Sequence, residues 1–141
     1  MSANPATADD SIDVAFPKVD PGMKPLGSRI MVQIRLPRAK TPGGIILTTE
    51  SKDIDSDNMQ TARVVSLGPL AFHNRETMKE WPEGAWVQEG DFVRVPKYGG
   101  DRFRVPYDGG EPGENITFAV FNDLDLTAAF TINPMQHKAY L

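Results

Sequence analysis

Residues 89–100 read EGDFVRVPKYGG, and residues 41–48 read TPGGIILT. In the first stretch, a Gly-Asp turn precedes a strand of period two, and a Gly-Gly pair forms the next turn. In the second stretch, a Pro-Gly-Gly turn precedes three large apolar residues. Glycine loses the most conformational entropy when it is ordered, so this turn is typical of a loop and not of a strand interior. Together the two stretches indicate a small β-barrel that carries an apolar segment on a loop.

Other segments of the chain also have strand patterns. Alternate residues of segment 30–36 are apolar and those between them point the other way, which predicts a half-buried strand that ends at Pro37. Segments 61–67 (TARVVSL) and 116–121 (ITFAVF) are rich in β-branched residues and are predicted to be strands. Turns rich in Gly, Pro and Asp separate these segments, and almost no helix is predicted. The fold class is therefore all-β, a small barrel of about five to seven strands.

One hairpin and the last strand follow from the same patterns. Residues 92–95 and 103–105 flank the Gly-Gly turn and are predicted to form a hairpin. Alternation of Leu124, Leu126 and Ala128 predicts the last strand.

The chain divides into three parts. Residues 1–23 are predicted to be a flexible N-terminal arm, residues 24–131 the barrel domain, and residues 132–141 a C-terminal tail. Within the barrel, residues 37–58 have no core pattern and are predicted to be a long loop, which usually marks function or disorder. Residues 69–87 are an excursion of turns and polar residues.

The arm and the excursion each leave two interpretations open. The arm is either a disordered tail or an extension that lies along a neighbouring subunit, with Ile12, Val14 and Phe16 as anchors. In the excursion, residues 74–80 are interpreted as a short helix or a polar detour. The two tryptophans flank a Pro-Glu-Gly turn, and they either pack over one end of the barrel or form an exposed apolar tip.

Composition limits the class of protein. A chain of 141 residues forms one domain, and its formal net charge of −4 disfavours binding to a nucleic-acid backbone. No apolar run reaches the ~20 residues of a membrane helix, and the first residues do not have the pattern of a secretory signal. The chain has no cysteine, which excludes disulfides and thiolate chemistry. A cytoplasmic protein is the expectation.

The sequence gives little support for catalysis or a cofactor. His73 and His137 are the only histidines, and they are not spaced as zinc ligands. The serines lack the GxSxG context of a nucleophile. The stretch DIDSDN at residues 53–58 lacks the glycine and the glutamate of a calcium loop. No glycine-rich phosphate cradle is present. We therefore expect a protein that is not an enzyme and has no metal or cofactor.

Four segments in the same order resemble the co-chaperonin family, the GroES-type lids of ring chaperonins. The matching segments are KPLGSRIMV at 24–32, GGIIL at 43–47, GDFVRVPKYGG at 90–100 and NDLDLTAAF at 122–130. The sequence departs from the family in three places: Gly27-Ser28 replaces the usual His-Asp, residues 1–23 are additional, and residues 69–87 differ from the family's roof hairpin. These departures leave the closure of a dome in doubt, but not the barrel.

The resemblance implies a mobile loop that docks on the chaperonin through Gly44, Ile45, Ile46 and Leu47, with Pro42 and Gly43 as its hinge. It also implies a homo-oligomeric ring, a heptamer, in which the first strand of one copy pairs with the last strand of the next. The interface residues would then be Ile30, Val32, Ile34, Leu124, Leu126 and Ala128. ATP would be bound by the partner chaperonin, and the two rings would enclose an unfolded client protein.

A physical argument supports the loop interpretation of the apolar segment. Residues 45–47 would contribute roughly 1.5–3 kcal/mol per side chain when a partner groove buries them. Ordering the loop offsets part of this gain, so one copy binds weakly, whereas a ring of copies gains affinity through avidity. The alternative is that residues 45–47 form a buried barrel strand.

The sequence thus predicts a divergent co-chaperonin. The long arm and altered roof favour a bacteriophage-encoded form that acts in the host cytoplasm, with a capsid protein as its client. The alternative function is a virion decoration or assembly protein that reuses the barrel. Neither interpretation includes a nucleic acid or a membrane as a partner.

Overall fold

The computed structural model describes residues 12–13, 15–36, 60–109 and 113–134, and these form an all-β fold. Six antiparallel strands make one sheet in the order β4-β5-β1-β2-β3-β6. The strands are β1 (Arg29–Ile34), β2 (Thr61–Leu67), β3 (Phe92–Arg94), β4 (Asp101–Pro106), β5 (Asn115–Asn122) and β6 (Ala128–Ala129). A 3-10 turn, Asp123–Asp125, lies between β5 and β6. The all-β prediction is confirmed, and the strands predicted at 61–67 and 116–121 are present.

The first strand is the centre of the sheet. β1 pairs with β2 on one side, with Ile34 opposite Ala62, and with β5 on the other, with Val32 opposite Ala119. Its inward residues and those of its neighbours form the main core, because alternate side chains of a strand share one face. The largest contributors to this core are Ile30, Val32, Ile34, Val64, Phe72, Val93, Val95 and Phe121.

The outer face of β1 is also buried, so the prediction of a half-buried strand is wrong. Met31 and Gln33 lie on this face and are almost fully buried. The N-terminal arm causes this burial, because the carbonyl of Pro17 accepts a hydrogen bond from Gln33 Nε2 at 2.7 Å. The sequence did not predict the arm on this face. The side chain of Phe16 is fully buried as well. The described part of the arm therefore belongs to the barrel of its own chain and is not a free tail.

The predicted hairpin between β3 and β4 does not form. β3 pairs with β2 and β6, whereas β4 pairs only with β5. The turn between the two strands sends the chain to the opposite side of the sheet. Gly99 and Gly100 both have positive φ, and a Cβ on Gly100 would come within 2.6 Å of the Phe121 ring. Arg102 holds this turn, since its guanidinium donates to the carbonyls of Pro96 and Gly99 at 2.8 and 3.1 Å.

The last strand is shorter than predicted. Leu124 lies in the 3-10 turn and Leu126 follows it, so neither belongs to the strand, which contains only Ala128 and Ala129. The amide of Thr127 donates to Arg94 O at 3.1 Å and begins this short pairing with β3. Strand alternation through residues 124–128 is therefore wrong, because the acidic sequence Asp-Leu-Asp closes a turn first.

Candidate functional site

The segment predicted to dock, residues 37–58, lies outside the described residues, but its two flanks are described. β1 ends at Ile34 and β2 begins at Thr61, and Arg35 N donates to Thr61 O at 2.9 Å. The chain therefore leaves the sheet and returns to it at the same end. We call this end, where β1 ends and β2 begins, the loop end of the barrel.

The return of the chain at Gln60 is held by β3. Val95 N donates to Gln60 O at 2.8 Å, and Arg94 Nη2 donates to Gln60 Oε1 at 3.0 Å. The departure of the chain at Leu36 is held by the arm instead, because Leu36 N donates to Ala15 O at 2.9 Å. Both flanks of the segment thus begin from fixed backbone.

A row of opposed residues crosses the outer face of the sheet near the loop end. Cross-strand register places Phe103, Phe118, Gln33, Arg63 and Phe92 side by side on five strands, β4, β5, β1, β2 and β3. Directly opposed residues share a face, so their side chains form one continuous surface. We call this surface the outer row; the arm covers part of it.

The arm contacts the outer row through one aromatic ring and one amide. The centroid of the Phe16 ring lies 5.1 Å from the centroid of the Phe92 ring. Cζ of the Arg63 guanidinium lies 5.9 Å from the same Phe16 centroid. Arg63 Nη2 also donates to Gln33 Oε1 at 2.9 Å, so both ends of the buried Gln33 amide are satisfied. Burial lowers the pKa of the Arg63 guanidinium from its ordinary value, and the carboxylate of Asp13 partly offsets that shift.

The far end of the barrel, where β1 begins and β2 ends, carries the excursion at residues 69–87. Phe72 is buried, and its ring centroid lies 5.5 Å from that of Trp81 and 5.9 Å from that of Trp86. Trp81 packs against the main core, whereas Trp86 is exposed. Packing over one end of the barrel is therefore confirmed for Trp81, whereas Trp86 contacts the Phe72 ring and stays exposed. Residues 74–80 are a polar detour without a helix, closed by a bridge between His73 and Glu80.

A buried carboxylate fastens this excursion. Asp123 Oδ2 accepts a hydrogen bond from Phe72 N at 2.9 Å, and Asp123 is almost fully buried. Phe72 has φ +62°, which is costly for a bulky side chain and persists only when its surroundings hold it. The hydrogen bond that Phe72 N–H donates to Asp123 helps to hold this conformation.

We expect Asp123→Ala to destabilise the protein by about 1–3 kcal/mol, because Phe72 N–H would be left buried without an acceptor. Urea unfolding measures the loss. Asp125→Ala is the matched control, since Asp125 is exposed in the same turn and its removal should stay within about 0.5 kcal/mol. Equal stability of the two variants would contradict this role for Asp123.

Four of the six predicted interface residues are buried in the single chain. Ile30, Val32 and Ile34 lie in its main core, and both edges of β1 are paired. Their assignment to a subunit interface assumed that the first strand has an open edge, and it stays a prediction that the single chain does not support. Leu126 is buried in the same core. Of the six residues, only Leu124 and Ala128 are exposed.

The open edges of the sheet are elsewhere. Among the described residues, β6 pairs only with β3 and β4 only with β5. Leu124 is 69% exposed beside β6, and Met23 and Leu26 are exposed just before β1. These apolar side chains are exposed in the single chain.

In residues 12–13, 15–36, 60–109 and 113–134, His, Asp and Glu do not form any group of three or more that could hold a metal ion. His73 Nδ1 lies 2.8 Å from Ala71 O, so its ring is tied to the backbone. Within the same part of the chain, no helix is long and apolar enough to cross a membrane.

Comparison with known proteins gives a consistent family. Residues 22–126 match the model of the chaperonin 10 kDa subunit family. The chain is 31% identical over 106 residues to the co-chaperonin GroES of Tetragenococcus halophilus, covering 75% of this chain and 96% of that protein. It is 36% identical over 104 residues to the co-chaperonin GroES of Clostridium beijerinckii, covering 72% and 93%. The match to GroES of Methylacidiphilum infernorum is 32% over 87 residues, covering 62% and 80%.

Proposed function

The chain belongs to the chaperonin 10 kDa subunit family and has its small GroES-like barrel, and from this premise we propose that it caps an ATP-loaded ring chaperonin and encloses a folding client. The observation that carries the proposal is the continuous match over residues 22–126, which spans β1 to β5 and both flanks of the predicted docking segment. ATP would be bound and hydrolysed by the partner, and this chain would have no catalytic step of its own.

The docking contact is assigned to Gly44, Ile45, Ile46 and Leu47, on a mobile loop at residues 37–58 that hinges at Pro42 and Gly43. Support comes from the apolar triplet after two glycines and from the paired flanks, which bring both ends of the segment to the loop end. Burial of each apolar side chain in a partner groove would supply roughly 1.5–3 kcal/mol. A ring of such loops would then bind through avidity.

The ring itself is proposed to form between the β6 side of one copy and the segment before β1 of the next. Support comes from the exposed Leu124 and Ala128 on one side and the exposed Met23 and Leu26 on the other. A contact between different surfaces of identical copies is heterologous, and such contacts close into rings. A heptamer, a cytoplasmic location, a bacteriophage origin and a capsid client stay predictions.

Native mass spectrometry tests the function directly. We expect a ring of this chain alone, and a complex with a GroES-dependent bacterial chaperonin only when ATP or ADP is present. The matched control is the same chaperonin without nucleotide, which should give no complex. A ring that ignores chaperonin under every nucleotide condition would refute the proposal and favour the alternative, a structural component of a virion.

A further inference from the structure

Residues 15–26 form a strap that crosses the outer face of the sheet from the loop end to the start of β1. The strap is fastened at its two ends, since Phe16 and Pro25 are both buried. Between them, Lys18, Asp20 and Met23 are exposed. The grip of the strap near the loop end therefore depends on a few residues, 15–17.

These few residues make three different contacts. Phe16 fills the space over Phe92 and Arg63, with its ring centroid 5.1 Å from that of Phe92. Pro17 O accepts from the buried amide of Gln33. Ala15 O accepts from Leu36 N. Phe16 is fully buried beside the hydrogen-bonded amide of Gln33. These contacts define one docked position for residues 15–17, because a shift of the strap would break the hydrogen bond at Gln33.

The third contact joins the strap to the predicted docking segment. Arg35 N still donates to β2, at Thr61 O, but Leu36 N donates to the strap. Leu36 is the last described residue before segment 37–59. The position of the chain at Leu36 thus depends on whether residues 15–17 are docked.

We propose that residues 15–17 are a plug that fixes the chain at Leu36 and thereby strengthens the binding of the following segment to the partner ring. Fixing one end of a segment before it binds reduces the conformational entropy that binding must remove. The effect on binding rests on the proposed function; the effect on Leu36 does not.

Amide hydrogen exchange of the free protein tests the plug. In Phe16→Ala, we expect the Leu36 amide to exchange at least about tenfold faster, while the Val64 amide, bonded to Asp91 O within the barrel, is unchanged. Phe16→Leu should give an intermediate rate, and this variant decides the result if the alanine variant does not fold. Lys18→Ala is the matched control, because Lys18 is exposed on the same strap, lies outside residues 15–17 and outside both proposed ring surfaces, and should leave the Leu36 rate unchanged.

Titration of the same variants with chaperonin and ATP tests the consequence. We expect Phe16→Leu to bind measurably more weakly and Phe16→Ala about tenfold more weakly than the wild type, with Lys18→Ala still forming the ring and binding normally. An unchanged Leu36 rate in Phe16→Leu would overturn the plug. A faster Leu36 rate with unchanged affinity would overturn its effect on binding. If the wild type itself does not bind chaperonin, the proposed function and this effect both fail, while the exchange result still judges the plug.

Discussion

Ile46→Asp is expected to abolish nucleotide-dependent binding to the chaperonin while the melting temperature and the ring stay nearly unchanged. Under the proposed function, Ile46 is buried only when the partner groove receives it. A substitution at a solvent-exposed position usually changes stability by no more than about 0.5 kcal/mol. In the complex, the same carboxylate would be buried without a partner at every subunit of the ring, which costs far more than the lost apolar contact.

Two control variants make this experiment decisive. Thr49→Asp places the same charge beside the apolar triplet without entering it and should still bind. Val32→Asp places the charge in the main core, where Val32 is fully buried, and should unfold the domain. A thermal melt and an ATP-dependent pull-down are measured for each variant. If Ile46→Asp unfolds as Val32→Asp does, residues 45–47 are barrel core and the docking assignment is wrong.

Local pattern was sufficient for much of the fold. The strand at 61–67 was predicted at its observed bounds, because a run rich in β-branched residues ends at a Gly-Pro pair. The strand at 116–121 was predicted within one residue at each end, because it is a run rich in β-branched residues. In both cases, the information lies in neighbouring residues. The prediction of an all-β class needed no more than this.

Contacts between distant residues could not be predicted in this way. Gln33 reads as a solvent-facing residue of a half-buried strand, but Pro17 and Arg63 supply its partners and bury it. The prediction of a hairpin between β3 and β4 was wrong, because two strands that are close in sequence can join opposite edges of a sheet. The sequence does single out Phe16 as an anchor of the arm, but for a neighbouring subunit, whereas Phe16 is buried in its own chain. At the site, residues 42–47 lie outside the described residues, so their role stays a prediction.

Leu124→Asp is expected to convert the ring into folded monomers. Leu124 is 69% exposed in the single chain, so the charge costs the monomer little. In a heterologous ring, the same carboxylate would be buried at every subunit interface. Because such a ring needs every interface in order to close, its interfaces would be lost together. Size-exclusion chromatography with light scattering measures the mass, and a thermal melt confirms that the barrel is folded.

A proline at position 126 would not examine the interface. Leu126 has φ −69°, close to the value that proline imposes, and its side chain lies in the main core. Its replacement would create a cavity in the barrel and leave the outer surface intact. Met78→Asp is the better control for Leu124→Asp, because Met78 is 54% exposed on the excursion and outside both proposed contact surfaces. If Leu124→Asp remains a ring while Met23→Asp and Leu26→Asp also do, the copies do not meet through the β6 side, and the interface must use the edge of β4.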